Sequence, residues 1–167
     1  MKKPNIRKLV IAALLSSFAC VATMIIQIPN GVGGYFNLGD CIVLLCGWFL
    51  GPLYGAFAGG IGAMLADVFS SYVVYAPATF LIKAGMAVIA FYVAKAHAEK
   101  GKLSAWISAF FAEMWMVLGY FLFEGIFLYE FGTALVCALP NMIQGFAGIV
   151  CAVLLKEFID RKGLWSR

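Results

Sequence analysis

The sequence predicts an all-α polytopic membrane protein, six helices joined by short loops in one domain over residues 1–167. Composition carries the prediction first. Hydrophobic residues make up 64% of the chain and charged residues 12%, where soluble domains run near half apolar and a quarter charged. Mean hydropathy is +0.97. A soluble core of this size has no way to hide so much apolar surface, so the solvent must be lipid. The distribution of cations is the last observation. All but one of the 12 Lys and Arg residues fall at the start of the first apolar segment, around the junction of the fourth and fifth, or at the end of the sixth.

The segments follow from where about 20 apolar residues in helical conformation would cross a hydrocarbon core. They are Ile6–Ile28, Asp40–Leu50, Leu53–Tyr72, Pro77–Ala96, Ser104–Leu128 and Thr133–Phe158. The second is too short to cross comfortably alone and reads as a short or tilted helix, joined to the third by the "LGPLYG" turn. The first is long and no small-residue cleavage site precedes a soluble chain, so no cleavable leader is expected.

Six crossings put the three basic groups on one side. These are Lys2, Lys3, Arg7 and Lys8, then Lys95, Lys100 and Lys102, then Lys156, Arg161, Lys162 and Arg167. By the positive-inside rule that side is the cytoplasm and holds both termini. The formal charge of +4 is therefore a topology signal, and no nucleic-acid partner is expected. The loop "GYFNLGD", Gly34 to Asp40, falls on the outside.

Lys83 is the remaining cation, well inside the fourth segment. An ammonium at such depth costs about 2.5–3.5 kcal/mol on insertion scales. Asp67 lies at similar depth in the third segment, and an Asp67–Lys83 ion pair is the expected neutralisation. The pair either fixes the packing of two helices or also faces a polar cavity. Glu113, Tyr120 and Glu124 share one face of the fifth segment, and Asn141 and Gln144 lie one turn apart on the sixth. Pro140 withholds a backbone donor beside them. An Asn–Gln pair serves either as interhelical glue or as part of a site. Amides and carboxylates near Tyr and Trp suit a small heteroaromatic ligand, whose ring stacks while its edge hydrogen-bonds.

Glycines at positions 51, 55 and 59 recur every fourth residue, and in the first segment Ala12, Ser16 and Cys20 form one small row beside Ala13 and Ser17. Small rows allow close helix approach, either within the bundle or toward a separate membrane subunit. The five cysteines show no C-x-x-C spacing, and His97 is the only histidine. No metal or cofactor is expected. A P-loop is absent, as are the G-x-S-x-G and H-E-x-x-H motifs.

The runs "FNLGD", "LLCGWFLGPLYGAFAGGIGAMLADVFSSY", "YAPATFLIKAGM" and "LPNMIQGFAG" resemble the substrate-binding S components of energy-coupling factor (ECF) vitamin transporters. The likeness is nearest to the riboflavin-type branch, which also holds pyridoxine and hydroxymethylpyrimidine relatives. It implies a multi-pass protein of the bacterial cell membrane, in contact with membrane lipid, that captures a small-molecule vitamin at an outward-facing pocket. Pro29–Asp40 would gate that pocket, with Gly31, Gly33 and Gly34 supplying mobility. Asn37 and Asp40 would partly cap the second helix, and substrate contacts would come from Asn37, Asp40, Lys83, Tyr120, Glu124, Asn141 and Gln144. The small residues Ala12, Ala13, Ser16 and Ser17 match the strip that docks on a transmembrane coupling subunit. Two cytoplasmic ATPases would complete the complex, and toppling of the S component would release the vitamin inside. A stand-alone facilitator is one alternative, and an intramembrane enzyme using Glu113 and Glu124 as acid and base is another.

Overall fold

A computed structural model describes residues 6–29 and 35–165. Gly31, Gly33 and Gly34 of the expected gate lie outside the described residues, as do Lys2, Lys3 and Arg167. The order is α1 (Ile6–Ile25), β1 (Ile28–Pro29), β2 (Tyr35–Phe36), α2 (Gly39–Leu50), α3 (Pro52–Phe69), α4 (Ala76–Ala96), α5 (Leu103–Phe123) and α6 (Phe131–Arg161). A 3₁₀ turn at Ala98–Lys100 precedes α5 and a π-turn at Glu124–Leu128 follows it. The six expected segments are present, and α1 and α3–α6 are long and apolar enough to cross a membrane. Strands β1 and β2, which no periodicity announced, pair antiparallel as Ile28 with Phe36 and Pro29 with Tyr35.

Two helices depart from uniform spans. Helix α2 has 12 residues, about 18 Å, well short of the roughly 30 Å of hydrocarbon. Its first residues, Gly39 and Asp40, are buried, so its start is inside the bundle instead of at its edge. Helix α6 has 31 residues and runs continuously through Pro140. At about 46 Å it exceeds the hydrocarbon thickness and carries its basic last turn beyond it.

Small side chains predominate in the interior, around a few large ones such as Leu44, Met86 and Met116, and large ones predominate on the exterior. Ala19, Ala66, Ala87, Ala90, Ala109, Ala112, Ala134 and Ala152 are fully buried, while Leu14, Phe18, Phe57, Leu81, Phe127 and Phe146 are exposed. Lipid exerts no hydrophobic force between helices, so close backbone approach does the packing instead. A Cβ on Gly47 would come 2.4 Å from the Ala87 carbonyl oxygen, and one on Gly62 would come 2.3 Å from the Ser16 carbonyl oxygen. Gly47 thus lets α2 touch α4, and Gly62 lets α3 touch α1.

The two small rows of α1 separate on this basis. Ala12, 8% exposed, packs in a cluster with Cys46, Leu50 and Ala58, and Ser16 backs onto Gly62. The expectation that Ala12 belongs to an outer docking strip is corrected, because its side chain is buried in the bundle; Ser16 is half-buried at the edge of the same seam. Ala13 and Ser17 are exposed on the other side of the helix, where the Ser17 hydroxyl bonds the Ala13 carbonyl at 3.0 Å.

The two ends of the bundle differ in chemistry. At one end Trp165 stacks on Phe49 with centroids 5.0 Å apart, Ser104 bonds the Ala94 carbonyl at 3.1 Å, and Lys102 meets Glu157 at 3.3 Å. Lys95, Lys100, Lys156, Arg161 and Lys162 gather there with the start of α1. At the opposite end Gln27 donates to Ser70 at 2.7 Å, below the β1–β2 pair.

Packing at the seam generates a prediction. Gly62→Leu overfills the α1–α3 contact and lowers stability by about 1–3 kcal/mol, whereas Ala13→Leu leaves the melting temperature in detergent near wild type. Equal melting of the two variants would contradict the assigned seam.

Candidate ligand-binding site

The site grows from Lys83. Its side chain is buried among apolar helices, 2% exposed, and its ammonium donates to Asp40 in the first turn of α2. This corrects the expected Asp67–Lys83 pair. The reason is the short α2: an N-terminus that begins inside the bundle carries Asp40 down to the depth of Lys83. Asp40 is completely buried, and its second oxygen accepts from Gln144 Nε2 at 2.7 Å. The carboxylate is thus saturated from α4 and α6, as a buried charge requires.

Gln144 passes the network on. Its Oε1 accepts from the Asn37 backbone N–H at 2.9 Å and from Asn37 Nδ2 at 3.2 Å, and Asn37 Oδ1 accepts from the Gly39 N–H at 2.9 Å. Asn37 therefore satisfies one of the free N–H groups at the start of α2. Asp40 does not cap that helix: the N-cap position is Leu38, without a side-chain bond. A Cβ at Gly39 would lie 2.0 Å from Thr23 Oγ1, so glycine is needed where the chain passes α1.

Asp67 has a different partner. Tyr35, on β2, donates its phenolic O–H to Asp67 Oδ1 at 2.5 Å. Burial, reinforced by the Asp67 carboxyl, holds the Tyr35 phenol above its ordinary range, so it remains a donor. Two residues therefore strap the loop end of the chain to the bundle, Tyr35 to α3 and Asn37 to α6.

Beneath that strap is a cavity with about 480 Å³ of atom-free space, counting its open mouth. Its lining includes Asn37, Lys83, Tyr120, Glu124, Asn141 and Gln144, so six of the seven residues expected at a ligand come together. Asp40 does not line it and stands behind Lys83 and Gln144. Thr23, Tyr35, Ala63, Asp67, Tyr72, Tyr75 and Thr79 complete the wall. Thr79 was legible, one turn before Lys83 on the same face. Tyr35, Tyr72 and Tyr75 lie in connecting segments, where helical periodicity gives no direction. The rings of Tyr35 and Tyr72 stand 4.6 Å apart, Tyr72 and Tyr75 6.4 Å, and Tyr75 and Phe123 5.6 Å. Lys83 Nζ lies 5.4 Å from the Tyr120 ring centroid, a cation–π distance, and the Tyr120 and Thr79 hydroxyls are 3.0 Å apart. Tyr75 donates to Glu124 at 3.3 Å.

Glu113 is buried, 4% exposed, but outside this lining. Its carboxyl packs against α6 where Gly145 and Gly148 leave room. Among the described residues no group of three metal-ligating side chains occurs.

The network predicts a coupling. Lys83→Met or Asp40→Asn alone strands a buried polar partner and costs about 3–5 kcal/mol. The double variant loses less than the sum of the singles, whereas Lys83→Met with Asp67→Asn departs less from additivity, because Asp67 feels Lys83 only at longer range. Chemical denaturation of the wild type, the three single variants and the two double variants in detergent checks this, and non-additivity with Asp67 in place of Asp40 would reverse the pairing.

Known proteins agree with this architecture. The family described as ECF-type riboflavin transporter, S component, matches residues 3–161. An uncharacterized protein of Pyrococcus woesei is 34% identical over 131 residues, 78% of this chain and 86% of that protein. The thiamine precursor transporter HmpT of Lactococcus lactis is 26% identical over 166 residues, 98% of this chain and 94% of that one. The solved S component of a bacterial ECF transporter superposes with a TM-score of 0.72 at 22% identity, covering 93% of this chain and 96% of that one. The family consists of transporter subunits, so Glu113 and Glu124 are not a catalytic acid and base. The chain belongs to the family of ECF-type riboflavin transporter S components, multi-pass proteins of the bacterial membrane.

Proposed function

We propose that the protein captures a B-type vitamin or precursor, pyridoxine or hydroxymethylpyrimidine ahead of riboflavin, at an outward-facing pocket. Partner subunits then drive its delivery to the cytoplasm. The observation that carries this reading is the strapped cavity: tyrosine rings and amide edges around a buried, neutralised cation. A flat heterocycle stacks on the rings and exchanges hydrogen bonds with Asn141, Gln144 and Tyr120. The name of the HmpT relative, a thiamine precursor transporter, favours a small precursor over a larger flavin.

The basic end of the bundle is taken as cytoplasmic by the positive-inside rule, which turns the cavity outward and both termini inward. Entry of a ligand requires the Tyr35–Asp67 and Asn37–Gln144 bonds to open and re-form over it, so the segment through Pro29–Asp40 acts as a gate. The sequence has no P-loop, and the energy for uptake is assigned to two cytoplasmic ATPases acting through a transmembrane coupling subunit. The exposed Ala13–Ser17 row is the proposed docking strip, and toppling of the docked chain would bring the pocket to the inner face.

Ala13→Trp or Ser17→Trp places a wedge on that strip. Copurification with the coupling subunit and uptake by cells should be lost, while ligand affinity of the isolated chain stays within about twofold, because the cavity draws on other helix faces. Intact copurification with lost binding would refute the docking assignment. Uptake that persists in cells lacking the coupling subunit would instead identify a stand-alone facilitator.

Asn141→Leu removes an amide from the wall and should weaken vitamin binding by about 1–3 kcal/mol. Titration calorimetry on the purified variant checks this, and unchanged affinity would move the ligand away from α6.

A further inference from the structure

A second cavity opens at the basic end of the bundle, between the start of α5 and the last turns of α6. It holds about 600 Å³ of atom-free space, counting its mouth. On α6 its wall is Val153, Lys156, Glu157, Asp160 and Arg161, the i, i+3, i+4, i+7 and i+8 positions of one helical face. Lys102, Ser104 and Ala105 complete the wall from the α5 side. The floor is apolar and buried, with Val153 at 1% exposure and Ala105 at 7%. The rim is charged.

Those charges leave a surplus. Lys102 and Arg161 both meet the same oxygen of Glu157, Oε2, at 3.3 Å, and Lys156 meets Asp160 at 2.5 Å. Three cations thus share two carboxylates. Arg161 spends one guanidinium nitrogen on its pair, so its fork keeps donors for a further anion. The side chains of Lys102 and Arg161 are 72% and 73% exposed, and ion pairs at such exposure hold their geometry weakly. Both cations can swing to an oxyanion without stranding a buried charge.

Depth selects the anion. Trp106 is partly exposed three residues into α5, and Phe158 is exposed on the last turns of α6. Indole rings of membrane helices favour the headgroup level. The rim therefore lies among headgroups, and the floor lies toward the acyl chains. A free phosphate would use the rim alone, whereas a phospholipid fills both parts. We propose that the cavity holds the headgroup of an anionic phospholipid, its phosphate between Lys102 and Arg161 and its glycerol end against Ala105 and Val153. The site shares no lining residue with the vitamin cavity. It is also on the α5–α6 side, whereas the proposed docking strip is on α1, which packs on α2 and α3.

The test is native mass spectrometry of the purified full chain, offered equal amounts of phosphatidylglycerol and phosphatidylcholine with identical acyl chains. The wild type should retain phosphatidylglycerol over phosphatidylcholine by about tenfold or more. Lys102→Gln with Arg161→Gln should abolish that preference. Lys95→Gln with Lys100→Gln removes the same charge from the same end but outside the lining, and should preserve it. The wild-type ratio is decisive even if a variant fails to fold. Equal retention of the two lipids by the wild type overturns the site, as does an equal loss of preference in both double variants, which would reduce it to diffuse surface charge. Displacement of phosphatidylglycerol by an equal concentration of inorganic phosphate overturns the lipid as occupant.

Discussion

A lysine buried inside an apolar helix bundle is the constraint on which the rest of the structure depends. An ammonium far from water must be paired and hydrogen-bonded. Here Asp40 answers it, and the answer dictates the layout of four segments. Helix α2 has to begin inside the bundle, so it is short. The strand pair precedes it, and α2 opens on a glycine where it passes Thr23. Gln144 has to face inward from α6 to complete the Asp40 carboxylate, and Asn37 completes Gln144. The polar chain Lys83–Asp40–Gln144–Asn37 therefore ties the loop to the centre of the bundle.

Around this network alanine and glycine predominate in the interior, with Ser108 and Glu113 among its few other buried polar groups. Alanine and glycine seams bring α1, α2, α3 and α4 into backbone contact, and little there competes for polar groups. The cavity exists where that packing stops, at the end of the bundle away from the basic residues. Tyrosines supply its walls because they combine a stacking face with a hydroxyl that finds a partner when buried. Tyr35, Tyr75 and Tyr120 each do so, with Asp67, Glu124 and Thr79.

Much of this was legible in the sequence. Spans are local in hydropathy, so their order and approximate ends could be read directly. Asn141, Gln144, Tyr120 and Glu124 could be placed by helical spacing, and the structure brings them into one cavity with Lys83. The partner of Lys83 was not legible. Matching depths along full-length spans selects Asp67, because such matching puts Asp40 at the membrane surface. Only the shortness of α2 brings Asp40 down, and α2's true depth depends on the loop preceding it. The division of α1 was hidden for a related reason: Ala12 and Ala13 are chemically identical neighbours, and the residues that bury Ala12, among them Cys46, Leu50 and Ala58, lie on other helices. Tyr35, Tyr72 and Tyr75 were missed because connecting segments have no periodicity from which to infer direction.

The central claim is that the Lys83-centred network shapes a cavity for one small vitamin-like compound. Mass spectrometry of small molecules retained by the purified chain tests it most directly, with Lys83→Met purified in parallel from the same cells. A single heterocycle of vitamin or precursor size should remain on the wild-type protein at about one per chain and be missing from the variant. A wild-type chain that retains nothing from cells supplied with B-type vitamins and their precursors, or retention of the same compound by both proteins, would contradict the account.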